Sequence, residues 1–437
     1  MKKKASVVLL TVVLALGTLL AACGGNDKNE GKPSTGGGEG AGDKQITLTW
    51  WVHENPSFTD ANKQMIAAYE AEHPNVKINM QVFPYDAFVQ KIRVSMNTNE
   101  APDIVQMFGT WVREYAKNGL LAPSQQGEEL KNQVYAAAIG GFEYDGKIYG
   151  VPHEFNIENG AALRHPQMFA DAGITKDPET WDELIETAKK LTQTNGNQIT
   201  VRGLDMTSVD STVFYFLALI QQQGADFWNE DQTQVNLTSP EAKQAMQELV
   251  NLITVHKVSD LTKVGTSEEP YMTFFKGASA ITTAGPWTIA EGRNTFNVND
   301  FDYMAMPSYT DNPPYFSAES GWGEVVSARS KNIEAAWDFV EFMMQDEQAY
   351  AWNIRTSTIP AKIEVAEDPQ YLQDNPLVEP VLGVLEYGRW IGPLADRDFF
   401  FVTIHDAFVN IASGRSSLDA ELQNAENAIN DMLKQKQ

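Results

Sequence analysis

The sequence predicts an α/β protein whose two lobes pack around a cleft. Three observations support this prediction: strand and helix patterns alternate early in the chain, the remainder is rich in helices, and no second linker separates them. The 437 residues are 43% hydrophobic and 21% charged, which is typical of a globular protein long enough for two domains. We therefore expect a ligand site between the lobes.

The predicted sheet begins after Gln45, where apolar and polar side chains first alternate. Apolar residues then recur at helical spacing between successive strand patterns. This order predicts a parallel sheet with right-handed crossovers. Its elements are a strand over 46–52, a helix capped by Asp60 and ended by His73-Pro74, a strand over 76–82, a helix around 88–96, and a strand from Ile104.

Four later helices can be predicted from their caps and their apolar spacing. Thr180 and Glu183 form a capping box, in which the hydroxyl and the carboxylate satisfy free backbone amides. Ser239-Pro240 opens a second helix, a third begins near Ile333, and the last follows Leu418.

The first 43 residues differ in composition from the rest and predict secretion. Residues 1–22 join three Lys to an apolar run that ends in small residues, as a signal peptide does. Leu20-Ala21-Ala22-Cys23 resembles the lipobox of bacterial lipoproteins, so Cys23, the one cysteine, is expected to carry acyl chains such as palmitate. The glycine-rich residues 23–43 predict a flexible tether to the membrane. A spanning helix or a buried free cysteine is the alternative.

Charge and missing motifs exclude several classes of function. The 58 acidic against 33 basic residues give a net charge of −25, which repels nucleic acid. The sequence contains no nucleophile elbow, phosphate loop or H-E-x-x-H pair, and its six His lack metal-ligand spacing. We therefore expect no metal, cofactor or nucleic acid. Paired carboxylates leave a glycosidase as an alternative.

Aromatic and polar residues follow the ends of two predicted strands, where ligands of α/β sheets bind. For Trp51, packing beneath a helix is an equally good interpretation. The residues concerned are Trp51, His53 and Glu54 after the first strand, and Phe108, Thr110 and Trp111 after the third.

Several motifs, in order from about residue 45 to the C-terminus, are similar to those of family 1 of the bacterial extracellular solute-binding proteins, the maltose-binding-protein-like sugar receptors. They are Ala101-Pro102-Asp103-Ile104, Tyr115-Ala116, Gly119-Leu120-Leu121, Tyr149-Gly150-Val151-Pro152, Thr180-Trp181-Asp182-Glu183-Leu184, Gly285-Pro286-Trp287 and Ala412-Ser413-Gly414-Arg415.

The resemblance implies a two-lobed fold of the periplasmic-binding-protein-like type II, with discontinuous lobes. The lobes would comprise 44–155 with 308–355, and 156–307 with 356–437. It also implies a monomeric, non-enzymatic receptor on the extracytoplasmic face of the membrane, which closes on a carbohydrate, often an oligosaccharide, and delivers it to the permease of an ABC importer. Hinges are implied near 152–156, near 306–307 and after 352.

The resemblance also implies which loops face the cleft. A pyranose stacks its C–H face on an aromatic ring and presents hydroxyls to carboxylates and amides, so these residue types suit a sugar. Besides the two strand ends, the implied residues are Glu154, Asn156, Trp287, Glu319 and Trp322 at a turn where Ser320 replaces a Gly, and Arg389, Trp390 and Phe401. A glycosidase using Glu54, Glu154 or Glu319, and a receptor for a peptide or polyol, are the alternatives.

Overall fold

Residues 45–436 are described by the computed structural model of the chain. The predicted signal peptide, Cys23 and the tether lie outside the described residues. Among residues 45–436, no helix is both long and apolar enough to cross a membrane.

The strands fall into one large sheet and four small ones. Those of the described residues are β1 Ile46–His53, β2 Val76–Phe83, β3 Ile104–Phe108, β4 Leu121–Ala122, β5 Glu143–Tyr144, β6 Lys147–Ile148, β7 Gly150–Pro152, β8 Ala161–Arg164, β9 Gln193–Asn195, β10 Gln198–Val201, β11 Ile281–Thr283, β12 Asp302–Ala305, β13 Phe316–Ala318, β14 Trp322–Ser327 and β15 Gly388–Trp390.

Helices make up most of the remaining regular structure. In the described part of the chain they are α1 Pro56–Glu72, α2 Tyr85–Ser95, α3 Gly109–Lys117, α4 Gly127–Gln133, α5 Ala136–Ile139, α6 Pro166–Asp171, α7 Trp181–Leu191, α8 Val209–Gln222, α9 Pro240–Thr254, α10 Pro270–Phe275, α11 Trp287–Asn294, α12 Ile333–Phe342, α13 Asp346–Thr356, α14 Ile363–Ala366, α15 Pro369–Asp374, α16 Glu379–Leu382, α17 Arg397–Ala412 and α18 Leu418–Lys436, with 3-10 turns at Gly140–Phe142, Pro376–Val378 and Leu385–Tyr387.

The large sheet has the strand order β2-β1-β3-β14-β4, and β7 also pairs with β14. The parallel pairing of β1 with β2 and β3 confirms the predicted strand, helix, strand alternation. Strand β14 arrives from far along the chain and runs antiparallel to β3, so that Trp322 lies opposite Phe108. This pairing brings a distant segment to the carboxyl ends of β1 and β3.

A smaller antiparallel sheet, β11-β8-β12, lies between two hydrophobic cores. Successive residues of β8 alternate between them, since Leu163 packs in the first core and Ala162 in the second. Tyr303 and Met304 of β12 divide in the same way. Because side chains of a strand alternate in direction, both faces of this sheet are buried.

The first core collects residues of the large sheet and continues as far as Leu385, whereas the second collects residues from 162–258 and 391–433 together with Ala280, Ile281, Met304 and Met306. These cores describe packing, and not which residues move together. The lobe limits at 155, 307 and 355 therefore stay predictions.

Most predicted helices are confirmed, with one cap corrected. Thr180 accepts a hydrogen bond from the backbone N–H of Glu183, and Ser239 accepts one from Ala242. However, Asp60 does not begin α1, because the helix starts four residues earlier and Asn55 caps it by accepting from Phe58 N–H. A Pro at the first helical position fixes this earlier start.

Candidate functional site

A cavity of about 260 Å³, here called the first cavity, opens at the carboxyl ends of β1 and β3. Aromatic rings and carboxylates make up most of its lining. The lining residues are His53, Asn55, Phe58, Tyr85, Phe108, Trp111, Glu154, Asn156, Glu158, Asp210, Phe214, Trp287, Glu319, Trp322 and Arg397.

One side of the first cavity is an aromatic wall centred on Trp322 at the start of β14. The ring of His53 stacks on Trp322 with the centroids 4.2 Å apart. Phe108 and Trp111 meet the same indole edge-on, at 4.9 and 5.5 Å. Each ring is held by others, so the wall is rigid before any ligand arrives. We call His53, Phe108, Trp111 and Trp322 the aromatic wall.

The imidazole of His53 is fixed in one neutral form. Gln106 Oε1 accepts from the backbone N–H of His53 and lies 2.7 Å from its ring Nδ1. The backbone hydrogen bond identifies this atom as the amide oxygen, which can only accept. Nδ1 must therefore carry the ring proton and donate it to Gln106 Oε1. Burial lowers the pKa of His53 from 6.5 to about 4, against the opposing effect of the Gln106 hydrogen bond.

A tight turn before β14 positions two lining residues at once. Ser320 has φ 76° and Gly321 has φ 138°, both in the left-handed half of backbone space. A Cβ on Gly321 would lie 2.4 Å from the carbonyl oxygen of Glu154, so only Gly fits there. The turn brings both Glu319 and Trp322 to the lining of the cavity.

A second group of lining residues, Asp210, Glu319 and Arg397, forms what we call the charged wall. Arg397 Nε and Nη2 each donate to one oxygen of Glu319 at 2.8 Å, and Nη2 lies 2.9 Å from Asp210 Oδ1. The ring of Phe401 lies under the guanidinium, 4.0 Å away. Burial lowers the pKa of Arg397, but the charges of Asp210 and Glu319 outweigh it and raise this pKa above the ordinary range. Burial raises the pKa of Glu319 as well, and the charge and the hydrogen bonds of Arg397 oppose that rise.

Glu158 fixes the indole of Trp287. Trp287 Nε1 donates to Glu158 Oε1 at 2.7 Å, and the backbone N–H of Gly285 donates to Oε2 at 2.8 Å. Burial raises the pKa of Glu158, and these hydrogen bonds oppose that rise. The Gly-Pro-Trp turn thus presents one indole at the cavity in a defined orientation.

The segment 154–158 supplies polar groups that are not fully satisfied. Glu154 is 2% exposed, and its Oε1 accepts from Trp322 N–H at 3.3 Å. Burial, with a smaller effect from the charge of Glu158, raises the pKa of Glu154 to about 8. Asn156 Oδ1 is buried and has no hydrogen-bond partner among the described residues. A ligand that donates hydrogen bonds would satisfy it.

Eight of the predicted site residues come together in the first cavity. They are His53, Phe108, Trp111, Glu154, Asn156, Trp287, Glu319 and Trp322. Whether each one contacts a ligand stays a prediction.

Two further predicted residues line a second cavity, of about 480 Å³. Thr110 lies between the two spaces, since its hydroxyl donates to Glu319 Oε1 at 3.1 Å. Trp390, at the end of β15, forms part of the second lining.

The remaining predicted residues lie away from both cavities. Trp51 packs against Phe83 beneath α2, and Lys91 Nζ lies 4.1 Å from its ring. Packing beneath a helix was the alternative interpretation of Trp51 given above. Glu54 and Arg389 are exposed at the surface. Phe401 is buried and supports Arg397 from below instead of facing the cavity.

Sequence reasoning missed several lining residues, some of which had a readable signal. Glu154, Asn156 and Glu158 alternate with the buried Phe155 and Ile157, so a period of two marks all three polar residues for one side. The other missed residues have no such pattern among the residues next to them in the chain. The missed residues are Asn55, Phe58, Tyr85, Glu158, Asp210, Phe214 and Arg397.

Within residues 45–436, no three His, Asp or Glu side chains come together in a way that could hold a metal ion. The carboxylates of the first cavity are engaged with Arg397, with Trp287 or with backbone amides instead.

The fold is that of the two-lobed ABC substrate-binding proteins. A Listeria monocytogenes protein of this class, solved with cycloalternan, superposes with a TM-score of 0.75 at 24% identity, covering 90% of this chain and 100% of that one. A cyclic α-maltosyl-1,6-maltose binding protein from Arthrobacter globiformis gives the same TM-score, identity and coverage. This is the periplasmic-binding-protein-like type II α/β fold, as predicted.

Residues 55–350 match the family of bacterial extracellular solute-binding proteins, and the chain belongs to this family. It is 24% identical to the diacetylchitobiose binding protein DasA of Streptomyces coelicolor, over 75% of each chain. It is 21% identical to a galactooligosaccharide-binding protein of Bacillus subtilis, over 100% of this chain and 99% of that protein. The predicted resemblance is confirmed.

Proposed function

We propose that this chain is an extracytoplasmic, lipid-anchored receptor that binds a carbohydrate in the first cavity, closes its lobes on it and delivers it to an ABC importer. The single observation that carries the proposal is the lining of the first cavity. It combines aromatic rings that pack on one another with a buried acceptor, Asn156 Oδ1, that has no partner among the described residues. A sugar ring has a complementary apolar face and a complementary ring of hydroxyl donors.

Two kinds of group in the lining of the first cavity would recognise the sugar: indole rings and polar side chains. The indoles of Trp322 and Trp287 line the cavity and would offer platforms for pyranose C–H groups. At the sugar's edge, Asn156 Oδ1 would accept from one hydroxyl, and Glu154, protonated below its raised pKa, would donate to another. Exclusion of water strengthens each of these hydrogen bonds.

The named ligands of the relatives support a carbohydrate. The proteins above are described as binding diacetylchitobiose, galactooligosaccharides, cycloalternan and a cyclic maltosyl-maltose. These ligands differ in their sugars and linkages, so they support the class and not one member of it.

Lobe closure is proposed from contacts that join segments assigned to different predicted lobes. Arg93 of α2 lies 3.5 Å from Asp398 of α17, and Asn294 of α11 donates to Ser57 of α1 at 3.3 Å. In the proposal these two contacts belong to the closed arrangement of the lobes. A ligand that touches both sides shifts the population toward closure by its higher affinity for the closed form.

A thermal-shift screen of sugars, peptides and polyols tests the proposal. A ligand at 100 times its dissociation constant stabilises the fold by about 2.7 kcal/mol, which raises the midpoint measurably. We expect carbohydrates alone to do so, and Asn156→Ala to weaken their binding. Stabilisation by a peptide or polyol instead would assign the site to that class.

A reducing-end assay separates binding from hydrolysis. We expect the sugars that stabilise the chain to be recovered intact. Release of reducing ends that Glu154→Gln or Glu319→Gln abolishes would favour the glycosidase.

The anchor and the delivery step need tests in cells. We expect Cys23 to incorporate labelled palmitate, and Cys23→Ala to release the chain from the membrane fraction. Cells that lack this chain should lose uptake of the sugar identified in the screen. Uptake that persists at low sugar concentration would contradict delivery to an importer.

A further inference from the structure

The lining of the first cavity holds an excess of acidic over basic side chains. Among its described residues, four carry carboxyl groups and one carries a cation: Glu154, Glu158, Asp210 and Glu319 against Arg397. The guanidinium of Arg397 pairs with Asp210 and Glu319. Within residues 45–436, neither Glu154 nor Glu158 is paired with a basic side chain. Two carboxyl groups of this cavity therefore have no cationic partner.

The acidic side chains of the cavity also act on one another. Burial and the charge of Glu158 raise the pKa of Glu154 to about 8. Burial is again the larger cause at Glu158 and Glu319, where the charge of Asp210 raises the pKa further. Because each carboxylate disfavours ionisation of its neighbours, a cation that enters the cavity would relieve several repulsions at once. The net charge of the whole chain, −25, attracts cations to the cavity from a distance.

An amide of the same lining independently indicates a ligand that donates hydrogen bonds. Asn156 is 6% exposed, and its Oδ1 has no hydrogen-bond partner among the described residues. It follows Glu154 by two residues, and both side chains line the cavity. An ammonium group has several donors and a positive charge, so it can satisfy the Asn156 carbonyl and the Glu154 carboxylate together. A hydroxyl group offers a single donor and no charge.

Both tryptophans that offer a platform in this cavity are hydrogen-bonded to a carboxyl group. The backbone N–H of Trp322 donates to Glu154 Oε1 at 3.3 Å, and Trp287 Nε1 donates to Glu158 Oε1 at 2.7 Å. A sugar ring that stacks on either indole would therefore have a carboxyl group close by. The face of an indole also attracts a cation. This pairing of indole and carboxyl group favours a positive charge that is carried on a ring.

We propose that the first cavity selects amino sugars, which are carbohydrates with a free, protonated amino group, and that Glu154 and Asn156 hold this ammonium group. The inference rests on the proposed function and narrows it from carbohydrates in general to those that carry a positive charge. Glu154 then acts differently from its part with a neutral sugar, because its proton leaves to the solvent and the ionised carboxylate accepts from the ammonium N–H. The charge of the ligand thus replaces that proton inside the cavity.

Calorimetry at pH 7 with matched sugars tests this inference. The members of each set differ only at carbon 2, which carries a hydroxyl, a free amine or an N-acetyl amine. The sets are glucose, glucosamine and N-acetylglucosamine; galactose, galactosamine and N-acetylgalactosamine; and cellobiose, free-amine chitobiose and diacetylchitobiose. In the set that binds, we expect the affinity of the amine to exceed that of either neutral member by about tenfold or more.

The matched sets also separate the inference from the proposed function. Neutral members that bind as tightly as the amine would overturn the inference and leave the proposed function intact. Failure of every carbohydrate to bind would overturn the proposed function itself.

Linear amines distinguish recognition of a sugar from recognition of charge alone. Putrescine and ethanolamine carry an ammonium group but have no ring that can stack on Trp322 or Trp287. We expect each of them to bind about tenfold or more weakly than the amino sugar. Equal binding would overturn the inference and make the cavity a general site for organic cations.

Two Glu→Gln variants test where the charge is recognised. Glu154→Gln keeps the size of the side chain but cannot ionise, so the ratio of the affinity for the amine to that for the hydroxyl sugar should fall about tenfold. Glu54→Gln removes the same charge from an exposed position outside the cavity, and the ratio should stay within about twofold. Equal falls in the two variants would overturn the inference, because the net charge of the chain would then explain the preference.

Proton release from the unaltered chain keeps the test decisive if Glu154→Gln disturbs folding. Titration in two buffers of different ionisation enthalpy counts the protons released on binding. We expect about half to one proton for the amino sugar and none for its N-acetyl partner. Binding of the amine without proton release would overturn the assignment of the ammonium group to Glu154. The other titratable groups that face the cavity with Glu154 are His53, Tyr85, Glu158, Asp210, Glu319 and Arg397.

Discussion

The aromatic wall and the charged wall of the first cavity are built in different ways. His53 ends β1, Phe108 ends β3, and Trp322 begins the strand that pairs with β3, so a single sheet holds three of the four rings of the aromatic wall, and Trp111 follows on α3. In the charged wall, Asp210 starts α8, Arg397 starts α17, and Glu319 lies in the turn before β14. The comparison teaches that sheet register orders the rings, while mutual ion pairing orders the charges.

The largest expected effect comes from breaking the charged wall. Glu319→Gln leaves Arg397 without its bidentate partner, although Asp210 still compensates part of the charge. Removing one member of a buried ion pair costs about 3 to 5 kcal/mol, and we expect the lower end of that range here in urea unfolding.

Arg93→Met is the matched control, because it removes a pair whose side chains are both more than half exposed. Exposed pairs contribute about 0 to 1 kcal/mol. Equal losses in the two variants would mean that the charged wall does not stabilise the fold.

The aromatic wall should make the free energy of unfolding depend on pH below neutrality, through His53. The unfolded chain protonates His53 near pH 6.5, but the folded chain does so only near pH 4. Between these values the unfolded state binds more protons, so the free energy of unfolding falls as the pH is lowered, by about 3 kcal/mol in total. His53→Gln should show a correspondingly flatter profile in urea unfolding between pH 7 and pH 4. Parallel profiles would contradict a buried, neutral imidazole.

Glu154 should have the opposite effect to His53, because it lowers the free energy of unfolding as the pH rises. Its folded pKa of about 8 exceeds the ordinary value of 4.5, so the folded state holds a proton that the unfolded state has lost. Raising the pH from 5 to 7 should therefore cost about 3 kcal/mol through this group. Glu154→Gln, which mimics the protonated form, should gain on the unaltered chain over this interval. A constant difference between the two would show that Glu154 is ionised throughout.

A smaller effect is expected on affinity when the aromatic wall loses its central ring. Trp322→Ala should weaken binding of the sugar found in the screen roughly tenfold to hundredfold, from lost apolar contact and stacking. Isothermal titration measures it.

Trp51→Phe is the control that compares two neighbouring indoles. Trp51 packs beneath α2 and does not line the cavity, so the affinity should stay within twofold. A loss of affinity equal to that of Trp322→Ala would contradict the assignment of sugar binding to Trp322 rather than to Trp51.

The sequence by itself determined the local elements and the strand ends. Alternation from Ile46, the caps at Thr180 and Ser239, and the stop at His73 depend on residues close in the chain, so their physics is local. The same local order marked His53, Phe108 and Trp111, because the carboxyl ends of parallel strands meet at one edge.

The tertiary structure decided the partners that come from distant segments. Arg397 meets Glu319 across 78 positions and Asp210 across still more, and no periodicity in the chain announces such a pair. Similarly, Trp51 and Trp322 are both residues of β strands, but packing buries the first and leaves the second at the cavity. Burial depends on what the folded chain places above each ring, and that is a property of the assembled layers rather than of the local sequence.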